Sequence, residues 1–282
     1  MAKVGVLHPG SMGISVAVTL KNGGHQVYWA SAGRSAKTRQ RAEQFTLLDA
    51  GTMESLCDSC EMIVSVCPPD AAEDVAEQIA ACSFQGIFLD ANAISPDRTR
   101  QIGEKLEASG ARFVDGGIIG GPAWEPGKTW LYLSGEEAGE AAACFSAGPL
   151  EYSVVGADIG KASALKMCYA AYTKGTAALL CAIVAASESL GVRQELENEW
   201  SRDGSDFAER TIARVRRVTA KAWRFAGEMD EIAATFQEAG MPGEFHRAAG
   251  MVYRRMAGFK DSTSTPELED VLDALITADG AR

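Results

Sequence analysis

The densest chemistry in the sequence lies at its start, where Val4-Gly5-Val6-Leu7 runs into His8-Pro9-Gly10-Ser11-Met12-Gly13. A strand that feeds a glycine-rich turn and then a helix can hold a pyrophosphate. In a G-x-G-x-x-G turn the second glycine lets the backbone approach the anion, the third lets the helix pack on the strand, and the first N–H groups of the helix point at the charge. Gly10 and Gly13 occupy those places, with Ser11 and Met12 between them, while His8 stands where the first glycine belongs and Pro9 follows it. His8 and Pro9 must therefore make the tight turn by other means. The next apolar run ends in Ala30-Ser31-Ala32-Gly33-Arg34-Ser35, with Lys37 and Arg39 beyond, and not in the Asp or Glu that would bind a ribose 2′-hydroxyl. A missing carboxylate and a guanidinium within reach suit a 2′-phosphate, which Arg can bind through two parallel bonds. Ser31, Arg34 and Ser35 are thus expected to select NADPH over NADH.

Two other clusters carry less. Cys57-Asp58-Ser59-Cys60 is a CxxC without the second pair that a zinc site needs, and the seven cysteines sit in apolar surroundings. They read as buried free thiols in a reducing compartment, and no metal is expected. Arg210, Arg214, Arg217, Lys221 and Arg224 recur at helical spacing. Such a stripe suits acidic helices of a partner subunit or an anionic substrate group. Arg224, beside Trp223 and close to Gly227, is the member expected to reach a pocket.

The elements that must position these residues follow from the rhythm of apolar runs. Short runs at 4–7, 26–30, 62–66, 87–90, 113–115 and 130–133 alternate with helix-forming stretches at 15–22, 71–81 and 95–108. That rhythm predicts βαβ units around a parallel sheet. Beyond the junction Gly156-Ala157-Asp158-Ile159-Gly160, a long helix is expected over 161–190, apolar nearly all round from 176 to 187. Residues 195–278 read as further helices, broken at Gly204, at Gly240-Met241-Pro242-Gly243 and at Pro266. The expected fold is an α/β Rossmann domain over 1–160 and an all-α domain over 161–282, a division that the length of 282 residues suits. A net charge of −11 opposes nucleic acid and anionic membrane surfaces. The first apolar run is too short for a signal peptide or a membrane span, so a cytoplasmic protein is expected.

Taken in order, the glycine turn, Val66-Cys67-Pro68-Pro69, Asp90-Ala91-Asn92 with Ser95-Pro96, and Asp115-Gly116-Gly117-Ile118-Ile119-Gly120-Gly121-Pro122 resemble the β-hydroxyacid dehydrogenase family. That family includes 6-phosphogluconate dehydrogenase and the imine reductases. The C-terminal helices look like a divergent branch, a 6-phosphogluconate-dehydrogenase-like domain of unassigned activity. The resemblance implies that Cys67, Pro68 and Pro69 pass beside the nicotinamide half of a cofactor and that Asn92 lies on the cofactor side. The family's substrate stretch, D-A-P-V-S-G-G, aligns with residues 115–121; Gly120 and Gly121 survive, while Ile119 replaces a Ser that would bind a carboxylate.

Leu165-Lys166-Met167-Cys168-Tyr169-Ala170 resembles the family's catalytic helix, with Lys166 matching its Lys and Ala170 standing where an Asn belongs. Positions 166, 169, 170 and 173 share one face of a regular helix, so Lys166, Tyr169 and Thr173 are expected to point together. Lys166 is the expected proton donor, with Tyr169 sharing the proton or orienting a carbonyl. Gly227 and Glu228 stand where the family has a Lys-Asp pair, which widens the pocket and makes Glu228 a candidate acid or base. The implied activity is NADPH-dependent hydride transfer to or from a small carbonyl or hydroxy-acid substrate. An imine reductase is the alternative, and a non-catalytic NADPH-binding sensor a third reading. A homodimer is expected, the long helix being buried by the partner's C-terminal helices.

Overall fold

The computed structural model describes residues 1–260 and 262–277. Two compact units divide the chain, Met1–Met167 and Cys168–Arg282. The first is built from β1 (Lys3–Val6), α1 (Ser11–Asn22), β2 (Gln26–Trp29), α2 (Ala36–Gln44), β3 (Leu48–Asp49), α3 (Met53–Ser59), β4 (Met62–Ser65), α4 (Ala72–Ala81), β5 (Ile87–Asp90), α5 (Pro96–Ala108), β6 (Arg112–Ile119), β7 (Thr129–Ser134), α6 (Ala138–Ala143), β8 (Leu150–Gly156) and the opening of α7 (Lys161–Ala170), whose last three residues fall in the second. All its strands form one 8-stranded sheet in the order β3-β2-β1-β4-β5-β6-β7-β8.

Successive side chains of a strand face opposite ways, so a sheet covered by helices on both sides reads as a continuous apolar run. Val4, Val6, Met62, Val64, Ile87 and Leu89 join Ile14, Val16 and Leu20 of α1 in one core. Ile63, Phe88 and Phe113 turn to the other side, among Leu56 of α3, Val75 and Ile79 of α4, and Ile102 and Leu106 of α5. Each fully buried aliphatic chain contributes roughly 1.5–3 kcal/mol, which fixes the register that carries the loops.

Three expectations need correction. The sheet is not wholly parallel: β7 runs antiparallel to β6, and β8 lies parallel to β7. The antiparallel pair follows from the short return after β6, since a parallel neighbour needs a longer crossover. Two strands, β3 and β8, escape the sequence reading, the first for its length and the second for the polar Glu151 and Ser153 within it. Lastly, the strand read over 113–115 runs on to Ile119, so Gly116 and Gly117 lie inside β6. A Cβ on Gly117 would meet Ala162 O at 2.6 Å and Lys166 Cβ at 3.0 Å, so the absent side chain lets α7 settle on the strand. The turn itself is at Gly120, at φ +126°.

That contact also explains why the first unit extends past residue 160 to Met167: the opening of α7 packs on the sheet. The second unit holds α8 (Thr176–Ser189), α9 (Arg193–Trp200), α10 (Phe207–Glu238), α11 (Glu244–Arg255) and α12 (Leu268–Ile276), with no strand among its described residues. Residue 278, where the helical reading ended, lies outside the described residues. Gly240, at φ +74°, follows the end of α10, and Gly243 caps the start of α11, where an added Cβ would meet Ala233 O at 2.7 Å. The stretch Lys161–Ser189 is long and apolar enough to cross a membrane by length and composition. Within the second unit, α8 packs against α10, α11 and α12, which bury Ala177, Ala178, Cys181 and Val184. The cysteines are mostly covered as expected, but Cys168 is exposed.

Gly117→Ala should cost about 1–3 kcal/mol, the usual range for overpacking, because α7 must lift from β6. Gly121→Ala, where an added Cβ meets nothing within 4 Å, should shift the urea midpoint little. Equal midpoints for the two variants would refute the close approach.

Candidate functional site

Parallel strands bring their following loops to one edge, and the order reverses at β1, which has β2 on one side and β4 on the other. Such a reversal opens a crevice for a ligand. At the end of β1, Leu7 N donates to Val64 O (3.1 Å) and Gly10 N to His8 O (2.7 Å), so the turn closes tightly without a glycine at position 8. Pro9 is buried and His8 partly so. A Cβ on Gly13 would lie 2.0 Å from His8 O, which makes this glycine obligatory, whereas one on Gly10 meets only that oxygen, at 3.9 Å. Gly10 caps α1 and brings no side chain to the helix end. The first N–H groups of α1, those of Ser11, Met12 and Gly13, therefore have no partner within the helix.

After β2, Ser31 is buried and Arg34 N donates to Ser31 O at 3.2 Å. Ser35 proves to be the N-cap of α2, its hydroxyl accepting from Thr38 N at 3.3 Å. Lys37 is exposed, and Arg39 donates to Arg34 O at 3.4 Å. A cation that the sequence reading passed over, Arg41, donates to Pro9 O at 3.2 Å and ties α2 to the glycine turn. Its spacing from Lys37, one helical turn, was the available signal. Two buried nitrogens here lack any hydrogen-bond partner, His8 Nδ1 and Arg34 Nε. Burial, with the Arg34 charge adding to it, lowers the His8 pKa to about 4, so the ring is neutral.

The loops after β4 and β5 are joined by Asn92, which is 3% exposed. Its Oδ1 accepts from Cys67 N (2.6 Å), its Nδ2 donates to Ser65 Oγ (3.2 Å), and its backbone N donates to Asp90 Oδ1 (2.8 Å). Asn92 thus holds the Cys67-Pro68-Pro69 loop in place. Arg98 braces the loop from beyond, donating to Pro69 O at 3.1 Å and pairing with Glu73 at 3.0 Å. Burial pushes the Cys67 thiol up to about 12 and keeps it protonated. Asp90 is raised to about 7, chiefly by burial, and its Oδ2 has no hydrogen-bond partner.

Lys166 is positioned by Asp115. The Oδ2 of this buried carboxylate accepts from Ser134 Oγ (2.8 Å), Gly160 N (3.0 Å), Ala162 N (3.0 Å) and Ser163 N (3.1 Å), and its Oδ1 from Ser163 Oγ (2.6 Å). These bonds cap α7 and complement its dipole; they also favour the charged form, against the burial that pushes the Asp115 pKa up. Two turns into the helix, Lys166 Nζ donates to Ile118 O on β6. Ile119 is half-buried and Gly120 and Gly121 are exposed in the turn that follows, where Gly121 O accepts from Thr129 Oγ1 at 2.7 Å. Ala123 N then donates to Ser15 Oγ of α1 at 2.9 Å. The segment from Ile118 to Ala123 therefore touches both the lysine and the glycine-turn helix.

The remaining candidates belong to the second unit. Ala170 is buried and Tyr169 is 47% exposed. From Ala171 to Gly175 the helix widens into a π turn, which breaks the regular count that put Thr173 on the Lys166 face. The Thr173 hydroxyl bonds back to Tyr169 O (3.1 Å) and Ala170 O (3.4 Å). A π turn releases carbonyls from the regular ladder; Thr173 O accepts from Arg214 Nη2 (2.6 Å) and Lys174 O from Tyr253 Oη (2.7 Å). Glu228, buried, pairs with Lys174 and with Arg224 Nε (3.2 Å). Arg224 and Glu228 thus meet each other, and Lys174, which the sequence reading did not single out, joins them. Gly227 is exposed, with nothing within 4 Å of an added Cβ. In the cationic stripe, Arg210 pairs with Asp206 at 3.0 Å.

The first unit fits a dinucleotide: a glycine that admits no side chain, a second with an open face, and buried unpaired nitrogens on the loops beside them. Among the described residues no group of three or more His, Cys, Asp or Glu converges to hold a metal ion.

Residues 3–143 match the NAD-binding domain of 6-phosphogluconate dehydrogenase, and residues 187–256 match a domain of unknown function, DUF1932. The chain is 30% identical over 185 residues to an uncharacterized 28.5 kDa protein in the 7S RNA 5′ region of Methanothermus fervidus, a match covering 65% of this chain and 70% of that one. It is 29% identical over 139 residues to the mitochondrial 3-hydroxyisobutyrate dehydrogenase of Drosophila melanogaster, covering 48% of this chain and 42% of that enzyme. Among solved structures, the conserved protein MTH1747, described as structurally similar to 3-hydroxyacid dehydrogenases, superposes with a TM-score of 0.65 at 27% identity, over 90% of this chain and 98% of that one.

The Asp90 carboxyl supplies a test of this edge. Its folded pKa, raised from 3.8 to about 7, makes its protonated form the stable one. That contribution is complete below pH 3.8 and is lost as pH rises through 7. Asp90→Asn keeps an oxygen for Asn92 N and cannot ionise, so the variant should gain on the wild type between pH 5 and pH 8 by roughly 2–4 kcal/mol. Urea unfolding at both values measures the difference, and a gap that does not change with pH would contradict the assignment.

Proposed function

Since the chain belongs to the family of the NAD-binding domain of 6-phosphogluconate dehydrogenase, we propose that it is an NADPH-dependent oxidoreductase acting on a small carbonyl or hydroxy-acid substrate, with Lys166 as general acid and base. The observation that carries this reading is the Lys166 ammonium bonded to Ile118 O, on a segment that Ser15 ties to the helix of the glycine turn. NADPH supplies the hydride when bound. The first N–H groups of α1 would hold its pyrophosphate, and Arg34 its 2′-phosphate. Hydride arrival at a carbonyl carbon leaves charge on the oxygen, and Lys166 gives that oxygen a proton; in the oxidative direction the amine takes it back. Ile119, an apolar chain where the family has a hydroxyl, favours a substrate without a carboxylate at that point.

We also propose a homodimer. Tyr172, 72% exposed, and Leu179, 44% exposed, leave apolar area on the long helix for a second copy, and sedimentation showing a monomer at micromolar concentration would refute this.

Lys166→Met keeps length and helix propensity but cannot donate a proton. Turnover should fall about 10²–10⁴-fold while NADPH affinity, read by quenching of protein fluorescence, stays within about twofold of wild type. A variant with most of its activity on a carbonyl substrate would remove Lys166 from the mechanism. Activity kept on imines alone would favour an imine reductase, because an iminium already carries its proton.

A further inference from the structure

We propose that His8, the residue in place of the first fingerprint glycine, joins Arg34 in a clasp for the 2′-phosphate of the cofactor. The inference rests on the NADPH reading and adds to it a donor that a glycine at this place cannot provide.

The geometry comes from the sheet. β1 and β2 pair in parallel, with Gly5 opposite Tyr28, so the residues that follow each strand emerge side by side. On these neighbouring loops, His8 Nδ1 and Arg34 Nε are both buried without a hydrogen-bond partner. Buried polar atoms are almost always satisfied, and unpaired ones call for an explanation. Two on adjacent loops are explained together by one ligand that accepts from both. The ligand is an anion by the same logic: the Arg34 nitrogen can only donate, and the His8 pKa is lowered by burial and by the Arg34 charge, with no carboxylate raising it. Burial, not an acidic neighbour, is also the larger influence on Arg34. A phosphate between them supplies the opposite charge that the protein withholds, and it favours the protonated ring. The loops are rigid enough for this, since Arg41 ties α2 to Pro9 O and Ser35 caps α2 immediately after Arg34.

Calorimetric titration of the full chain with adenosine 2′,5′-bisphosphate and with adenosine 5′-monophosphate isolates the 2′-phosphate. The wild type should prefer the bisphosphate. His8→Ala should weaken the bisphosphate about tenfold or more, as expected for a lost hydrogen bond to a charged group, and leave the monophosphate unchanged. His8→Asn, which returns an amide nitrogen near the place of Nδ1, should recover part of the loss; His8→Gly, the ordinary fingerprint residue, replaces His8→Ala if that variant does not fold. Equal losses for both nucleotides would mean that His8 shapes the turn, and a larger loss for the monophosphate would mean that it binds a ribose hydroxyl; either overturns the clasp. No loss for either nucleotide overturns the clasp while leaving NADPH preference intact. A wild type that does not prefer the bisphosphate overturns the NADPH reading and the clasp together.

Discussion

The arrangement depends on one carboxylate. Asp115 sits inside the sheet, where an isolated charge is costly, and it is kept there by donors from three places: Ser134 on β7, the backbone at the opening of α7, and Ser163 within that helix. A helix start is a natural partner for a buried anion because its N–H groups have no other acceptor. One interaction therefore satisfies the charge, caps the helix and sets the distance from β6 at which Lys166 meets Ile118 O. Gly117 works to the same end from the other side, since any side chain there would hold the helix off the strand.

The cofactor edge follows a different plan. Its loops are fastened to one another as well as to their own strands: Asn92 holds the loop after β4 to the one after β5, Arg41 holds α2 to the glycine turn, and Ser15 holds α1 to the segment after β6. Buried polar groups that are fully satisfied make such a frame stiff. Against that background the unsatisfied nitrogens of His8 and Arg34 stand out, and so does Asp90 Oδ2, which burial keeps protonated below about pH 7.

How much of this was legible in the sequence depended on the range of the interaction. β4 and β5 are readable because three buried apolar residues in a row, Met62–Val64 and Ile87–Leu89, leave few alternatives. β8 is not, because Tyr152 and Val154 face outward and polar residues alternate with them. Gly116 and Gly117 hide the length of β6, because the helix against which Gly117 packs lies far along the chain. Lys166 could be picked out by its helix, but its carbonyl partner on β6 could not. Glu228 reads as an acid or base in the sequence, where its i,i+4 spacing from Arg224 already offers an ion pair within α10; its pairing with Lys174 depends on packing between elements that no local pattern reports.

The π turn from Ala171 to Gly175 has a consequence for descent. A wide turn of this kind is what a helix adopts when it takes up one extra residue without disturbing the contacts before and after it. Arg214 and Tyr253 bind the carbonyls that such a turn frees. Relatives that lack the insertion would then match this chain residue for residue through Ala170 and fall out of step by one position from Thr176 onward. An ungapped alignment through this helix would compare Ala170 with its true counterpart and assign the wrong counterpart to every residue of α8.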